Sequence, residues 1–257
     1  MVLSSFQIEA FLLILMRTLG LIVSAPVLNS RSIPSPVKVA FAFWLSLTFW
    51  FVVNVPHPLP STAPALGLAV ASEFFVGLSI GFIVNVIILS IQSAGEMIDV
   101  QMGLSVANVL DPSLGFQVSI IGRLLFLVGI FFFISMNGHH ALLAALHRSF
   151  EIIPLGMPFH LKATYPEFLA TLGQSLWSIS IQMALPIMAI LLLTDFAFGI
   201  ISRVAPQVNV FMLGFQVKPT VGLLALLFML PFLSPYIQGT LLKTTELLTQ
   251  TLVLLKP

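Results

Sequence analysis

Six long apolar runs constrain the fold of this chain more than any other feature of its sequence. They cover residues 8–27, 39–55, 66–89, 118–136, 176–201 and 220–233. A helix needs about 20 residues to cross about 30 Å of hydrocarbon, so these runs are candidate membrane helices. Only 7% of the residues are charged, against about 25% in soluble domains. The sequence therefore predicts an all-α integral membrane protein and, because no tandem repeat is visible, a single domain over residues 1–257.

The rest of the composition excludes several classes of function. The chain has no cysteine, which rules out disulfides, thiolate metal sites and cysteine nucleophiles. Its net charge is +1 and it has no basic run, so nucleic acid is not an expected partner. The N-terminus lacks a basic segment before its apolar run, which contains Glu9 and Arg17. We therefore expect a retained segment and not a cleaved signal peptide.

Residues 90–117 (SIQSAGEMIDVQMGLSVANVLDPSLGFQ) form a stretch that is neither a clean span nor an ordinary loop. On a helix that advances about 100° per residue, polar side chains form two opposed stripes: Gln92, Glu96 and Asp99, and Gln101, Ser105 and Asn108. Two opposed stripes suit a helix buried in protein or beside water, whereas a surface helix has one polar face. Asp111 and Pro112 then predict a hard turn and the start of a second helix.

Charged side chains inside the apolar runs are the main candidate functional residues. They are Glu9, Arg17, Glu73, Arg123 and Asp195. Each costs at least about 2.5 kcal/mol at membrane depth, so each should face protein or water and find a partner. One interpretation is a proton or ion relay through Glu73 and Asp195. Pairing between helices or subunits is favoured, because no acid is framed by the small or helix-breaking residues typical of ion sites.

Motifs for enzymatic chemistry are weak or absent. His139, His140 and His147 suggest a metal, and Glu151 lies one helical turn after His147. Zinc needs three or four ligands and no HExxH is present, so turn and helix-end histidines are favoured over a metal site. No serine-hydrolase or phosphate-binding motif appears, so no catalytic or cofactor-binding residue is predicted. The GxxxG of residues 77–81 predicts close packing of two helices.

Four stretches, in order along the chain, carry a resemblance to a known family. They are residues 31–38 (RSIPSPVK), 94–115 (AGEMIDVQMGLSVANVLDPSLG), 137–156 (NGHHALLAALHRSFEIIPLG) and 206–218 (PQVNVFMLGFQVK). Together they resemble the FliR family, the flagellar counterpart of the export gates of virulence-type type III secretion. One departure is polar Gln216 with Lys218 and Pro219 after it, where the family more often continues apolar. That departure leaves the start of the last helix open.

The resemblance implies a core subunit of the flagellar type III protein export gate, which passes unfolded flagellar proteins across the bacterial inner membrane. It implies a hetero-oligomer with FliP, FliQ and FlhB in the flagellar basal body. Kinked helical hairpins are expected to pack there into a helical assembly surrounded by membrane lipid, much of it raised toward the periplasm. No enzymatic activity is expected. The alternative is a secondary transporter of a small solute that uses Glu73 and Asp195, although no internal repeat supports it.

The resemblance also implies a channel plug, or gate loop. Its matching positions are Leu110, Asp111, Pro112, Ser113, Leu114, Gly115, Phe116, Gln117 and Val118. Apolar side chains in a capped turn can seal a narrow lumen by packing and dewetting. The alternative is a tight connector between two packed helices, since Asp-Pro turns are common.

Overall fold

The computed structural model describes residues 5–30, 32–53, 55, 59, 62–104, 119–157 and 164–256. Within these ranges the chain forms seven α-helices and no strand. They are α1 (Ser5–Ser24), α2 (Ser35–Trp50), α3 (Ala63–Met102), α4 (Ile120–Ser135), α5 (Gly138–Ile152), α6 (Tyr165–Val204) and α7 (Val210–Leu254).

Four of the described helices, α1, α3, α6 and α7, are long and apolar enough to cross a membrane. Helices α4 and α5 pass the same test as a pair, with a bend of 66° between them. The bend lies at Asn137, whose φ of 59° places it in the left-handed region. The prediction of an all-α membrane protein is confirmed.

Helix α2 differs from its prediction at both ends. It begins at Ser35, four residues before the predicted run of residues 39–55, and a proline occupies its first turn, where no amide donor is needed. It ends at Trp50 after 16 residues, which is about 24 Å at about 1.5 Å per residue. That length falls short of the hydrocarbon core, so the prediction of a crossing helix over residues 39–55 is wrong.

Helix α3 joins two segments that the sequence separated. The apolar run of residues 66–89 and the polar stretch after it form one helix of 40 residues that ends at Met102. Gly103 has a φ of 80°. Its N–H bonds the carbonyl of Val100 at 3.0 Å, and the N–H of Leu104 bonds that of Asp99 at 3.2 Å, which is a Schellman cap. The prediction that this helix continues past Leu104 is therefore wrong, and Ser105 and Asn108 lie outside the described residues.

The last two helices are longer than predicted. Helix α6 has 40 residues, where the sequence predicted 176–201. Helix α7 has 45 residues, where it predicted 220–233, and it contains Pro219, Pro231 and Pro235. The start of this helix was left open near Pro219, and the chain is helical from Val210. A proline removes one hydrogen bond, and in membrane helices neighbouring groups can satisfy the freed carbonyl.

The chain divides into two compact units. Unit 1 contains Met1–Ile87, Ile134–Leu172 and Leu241–Pro257, and unit 2 contains Ile88–Phe133 and Gly173–Thr240. The prediction of a single domain stays a prediction.

In unit 1, α1 packs closely against α3. A Cβ added at Gly77 would collide with the backbone of Arg17, and one added at Gly81 would collide with that of Leu21 and Ala25. The GxxxG prediction of close helix packing is confirmed. The aromatic rings of α2 contact α1 at Phe11, which lies edge-on to Phe43 and Trp50.

In unit 2, the second half of α3 packs against α4 in the same way. A Cβ at Gly95 would lie 2.6 Å from the carbonyl oxygen of Ile121 and 2.7 Å from the Cα of Gly122. On the α6 side, the hydroxyl of Ser180 donates to the carbonyl of Ser90 at 2.9 Å. These contacts hold the C-terminal half of α3 and the start of α4 in fixed positions.

Candidate functional site

The nine residues of the predicted plug, from Leu110 to Val118, lie outside the described residues. Their assignment stays a prediction. The described part of the chain bounds the segment on both sides, with the cap of α3 at Gly103 before it and α4 from Ile120 after it. The hydroxyl of Ser119 accepts the N–H of Gly122 at 2.8 Å and so caps α4.

In unit 1, two of the predicted membrane charges form one buried ion pair. The Nε of Arg17 on α1 donates to Oε2 of Glu73 on α3 at 2.5 Å. The side chains are 0% and 1% exposed, so neither charge reaches solvent. A buried pair of this kind is stable only when its remaining donors and acceptors are also satisfied.

The last turn of α5 and the residues just after it supply those remaining partners. Arg17 donates through Nη1 to the hydroxyl of Ser149 at 3.1 Å and through Nη2 to the carbonyl of Ile153 at 3.0 Å. Its guanidinium carbon also lies 4.4 Å from the ring centre of Phe150. The second oxygen of Glu73 accepts the N–H of Gly156 at 3.0 Å. The network therefore joins α1, α3 and the end of α5.

Gly156 takes part in this network through its backbone conformation. Its φ is 79°, a value that side chains with a Cβ rarely adopt. That conformation turns the chain so that the N–H of Gly156 points at the carboxylate of Glu73. Every polar atom that the buried pair presents here has a protein partner, which suits a structural role more than proton transfer.

In unit 2, Asp195 on α6 forms an ion pair with Lys218 on α7. The other carboxylate oxygen of Asp195 accepts from the side-chain amide of Gln101 at 3.2 Å. The pair is partly exposed, with side chains 24% exposed for Lys218 and 33% for Asp195. It borders a cleft of about 550 Å³, to which Phe198, Phe211 and Phe215 contribute. The cleft is an aromatic-lined groove with a neutralised charge pair at one side.

The remaining two membrane charges have different surroundings. Arg123 is exposed near the start of α4, and its guanidinium carbon lies 5.0 Å from the ring centre of Phe126. Glu9 is half-buried on α1. Neither forms an ion pair with another of the described residues.

The histidines of α5 do not assemble a metal site within the described ranges. His147 lies 3.7 Å from Glu151, and both side chains are exposed. The rings of His139 and His140 lie 4.2 Å apart at the start of α5. No group of three or more His, Asp or Glu side chains in the described part of the chain could hold a metal ion.

Sequence reasoning missed several partners in these networks. The sequence left the start of the last helix open at Lys218 and Pro219, yet Lys218 lies inside α7 and neutralises Asp195. Ser149 and Gly156 were not singled out, since hydrogen bonds between residues 83 and 132 positions apart leave no local pattern. A signal was nevertheless present, because a buried arginine needs more acceptors than one carboxylate provides.

Comparison with known proteins identifies the family of this chain. The chain matches the model of the bacterial export proteins, family 1, over residues 8–244. It is similar to the flagellar biosynthetic protein FliR of Bacillus subtilis (strain 168), with 32% identity over 95% of each chain.

Two further relatives agree with this similarity. FliR of Escherichia coli (strain K12) is 32% identical over 86% of this chain and 84% of its own length. FliR of Pectobacterium carotovorum is 30% identical over 92% of this chain and 90% of its own length. The chain therefore belongs to the bacterial export proteins of family 1 and, within them, to the FliR family of flagellar biosynthetic proteins.

Proposed function

We propose that the chain is a core subunit of the flagellar type III protein export gate. In this role it forms part of the channel through which unfolded flagellar proteins cross the bacterial inner membrane. The observation that carries the proposal is similarity to proteins named FliR over nearly the whole chain, within a family of bacterial export proteins. Several helices long and apolar enough to cross a membrane support the location.

The proposed partners are FliP, FliQ and FlhB, in a gate at the flagellar basal body that is raised in part toward the periplasm. Within that assembly the chain binds and positions other polypeptides and catalyses no reaction itself. It needs no metal or cofactor for this role. The relatives above are all named as flagellar biosynthetic proteins, so the alternative of a small-solute transporter using Glu73 and Asp195 is not favoured.

Residues 110–118 are the proposed plug of the channel. Leu114, Phe116 and Val118 supply apolar side chains that exclude water from a narrow lumen, and Gly115 leaves the backbone free to swing aside. Close packing of α3 and α4 at Gly95 supports the proposal, because it gives a loop between these helices a fixed base. Export would then require displacement of the plug.

The first test is the small-ion leak across membranes of cells that contain the complete gate. We compare the native chain with a variant that lacks residues 111–116. A variant that assembles normally and leaks supports the plug. A variant that assembles and stays tight contradicts it and makes the segment a connector.

A second pair of variants keeps the length of the loop constant. One replaces Leu114, Phe116 and Val118 by serine, and its matched control replaces Ser113 and Gln117 by alanine. Sealing by dewetting predicts leak in the first variant only. Equal tightness in both would contradict the apolar seal, whatever the deletion does to assembly.

A further inference from the structure

One carboxylate in unit 2 joins three helices at a single point. Asp195 of α6 forms an ion pair through Oδ1 with Lys218 of α7. Its Oδ2 accepts a hydrogen bond from the side-chain amide of Gln101 of α3 at 3.2 Å. Gln101 lies in the last turn of α3, two residues before Gly103, whose positive φ ends the helix. Asp195 therefore ties the end of α3 to α6 and α7 at once.

The same turn of α3 has a second contact with α7, and this one is apolar. The side chain of Met102 is fully buried, and a Cβ added at Gly222 would collide with it. Gly222 lies four residues after Lys218, so about one helical turn separates the two contacts along α7. Met102 is enclosed by packed atoms, whereas Lys218 and Asp195 are partly exposed and border the cleft. The end of α3 is thus held by one buried contact and by one that water can reach.

The Asp195–Lys218 pair can open more easily than the buried ion pair of unit 1. In unit 1 both charges are shielded from solvent, so a broken pair leaves each of them uncompensated. Water can solvate Asp195 and Lys218 when they separate, so their pairing contributes little net stability. The cleft of about 550 Å³ also leaves room for movement, since a Cβ on Gly103 would first meet the ring of Phe215, at 3.9 Å. The polar contact can therefore open while Met102 stays packed on α7.

We propose that Asp195 is a positioning residue for the last turn of α3, and that Gln101, Asp195 and Lys218 form a releasable latch. In the closed latch, Lys218 fixes the carboxylate and the carboxylate fixes the amide of Gln101. When the latch opens, the last turn of α3 pivots about Met102. This inference rests on the proposed function, in which that turn is the base of the gate loop. An open latch then lets small ions through the gate.

A purely structural ion pair between α6 and α7 makes a different prediction. Gln101→Leu removes the amide but leaves Asp195 and Lys218 in place, so it has no effect if only the ion pair matters. Gln92→Leu is the matched control, because Gln92 lies on the same helix and also donates to a carboxylate, that of Glu96 at 2.8 Å. The latch predicts an effect of Gln101→Leu alone.

The position of the end of α3 is measured with a spin label. The chain has no cysteine, so Val100→Cys, at an exposed position next to Gln101, takes a nitroxide at that site only. A label at Leu89→Cys, exposed about three turns earlier, reports on the body of α3. We expect Gln101→Leu to shorten the rotational correlation time at position 100 at least ~2-fold and to leave position 89 unchanged. An unchanged signal at position 100 would overturn the proposal.

The consequence for the gate is measured as small-ion leak in cells that contain the complete gate. Gln101→Leu and Asp195→Leu should each raise the leak at least ~5-fold, whereas Gln92→Leu should stay within ~2-fold of the native chain. The double variant Gln101→Glu with Asp195→Asn exchanges donor and acceptor and keeps one carboxylate and one amide at the junction. It should stay as tight as the native chain. A leak from this double variant equal to that of Asp195→Leu would contradict the latch.

These measurements separate the latch from the proposed function. If the native chain enters no large complex on native gels, the proposed function fails, and the mobility of the label in the purified chain still tests the contact. If Gln101→Leu enters the complex and frees position 100 without a leak, the last turn of α3 does not control closure and the proposal fails. If Gln101→Leu does not accumulate in the membrane, the amide is a structural contact and the latch fails as well.

Discussion

Replacement of Arg17 by methionine tests the buried network of unit 1 most directly. Methionine keeps an apolar stem of similar length and removes the guanidinium group. The variant loses the ion pair to Glu73 and the hydrogen bonds to Ser149 and Ile153. It leaves a carboxylate that is 1% exposed, whose other partner is the N–H of Gly156. An uncompensated buried charge is therefore the main consequence.

The expected loss is large for a single substitution. Removal of one member of a buried ion pair costs about 3–5 kcal/mol, whereas replacement of both by apolar residues is often close to neutral. Arg17→Met should therefore lower the free energy of unfolding by about 3–5 kcal/mol. The double variant Arg17→Met with Glu73→Leu should recover most of that loss. At about 2–4 °C per kcal/mol for a chain of this size, the single variant should unfold about 6–20 °C lower.

The assay is thermal unfolding of the detergent-purified chain, followed by the fluorescence of its three tryptophans. Arg123→Met is the matched control, because that arginine is exposed and its described interaction is the ring of Phe126, worth about 1 kcal/mol or less. Similar shifts for the two arginine variants would refute the reasoning. Additive losses in the Arg17 and Glu73 double variant would refute it as well, since a real pair must show coupling.

Three further predictions concern other parts of the chain. Gly77→Ala should lower the free energy of unfolding by about 1–3 kcal/mol, because its methyl group meets the backbone of α1. Gly67→Ala on the same helix should leave the free energy of unfolding unchanged or raise it by up to about 1 kcal/mol. Thermal unfolding of the two variants compares these effects. Lys218→Asp should lower the amount of chain in the membrane, and the exchange with Asp195→Lys should restore it, as measured by quantitative blotting. Ser119→Ala removes the cap of α4 and should lower the free energy of unfolding by about 1 kcal/mol, as measured by the same unfolding assay.

Local patterns in the sequence were sufficient to predict an all-α membrane protein and one close contact between helices, but not the bounds of most helices. The apolar runs predicted membrane helices, and the glycine spacing of residues 77–81 predicted the tight packing of α1 on α3. Both are consequences of residues near each other in sequence. The end of α3 was misplaced because Gly103 stops the helix with a positive φ, whereas the periodicity of the polar residues continues past it.

The sequence alone did not predict which residues far apart in the chain pair with each other. Arg17 and Glu73 were both singled out, but nothing in either segment specifies the other among several charged candidates. The start of the last helix was left open at Lys218 and Pro219 because proline removes a backbone donor, yet α7 continues through Pro219. Fold elements are set by neighbours in sequence, whereas the charge networks depend on which helices become neighbours in space.

The wide spacing of the Arg17 network has a consequence for biosynthesis. Glu73 is synthesised 56 residues after Arg17, and Ile153 follows Arg17 by 136 residues. At about 5–20 residues per second, the ribosome needs about 3–11 s to supply the first partner and about 7–27 s to supply the last. During that interval α1 carries an arginine that costs at least about 2.5 kcal/mol in lipid. The first helix therefore depends on the insertion machinery or on water to hold its charge until α3 and the end of α5 arrive.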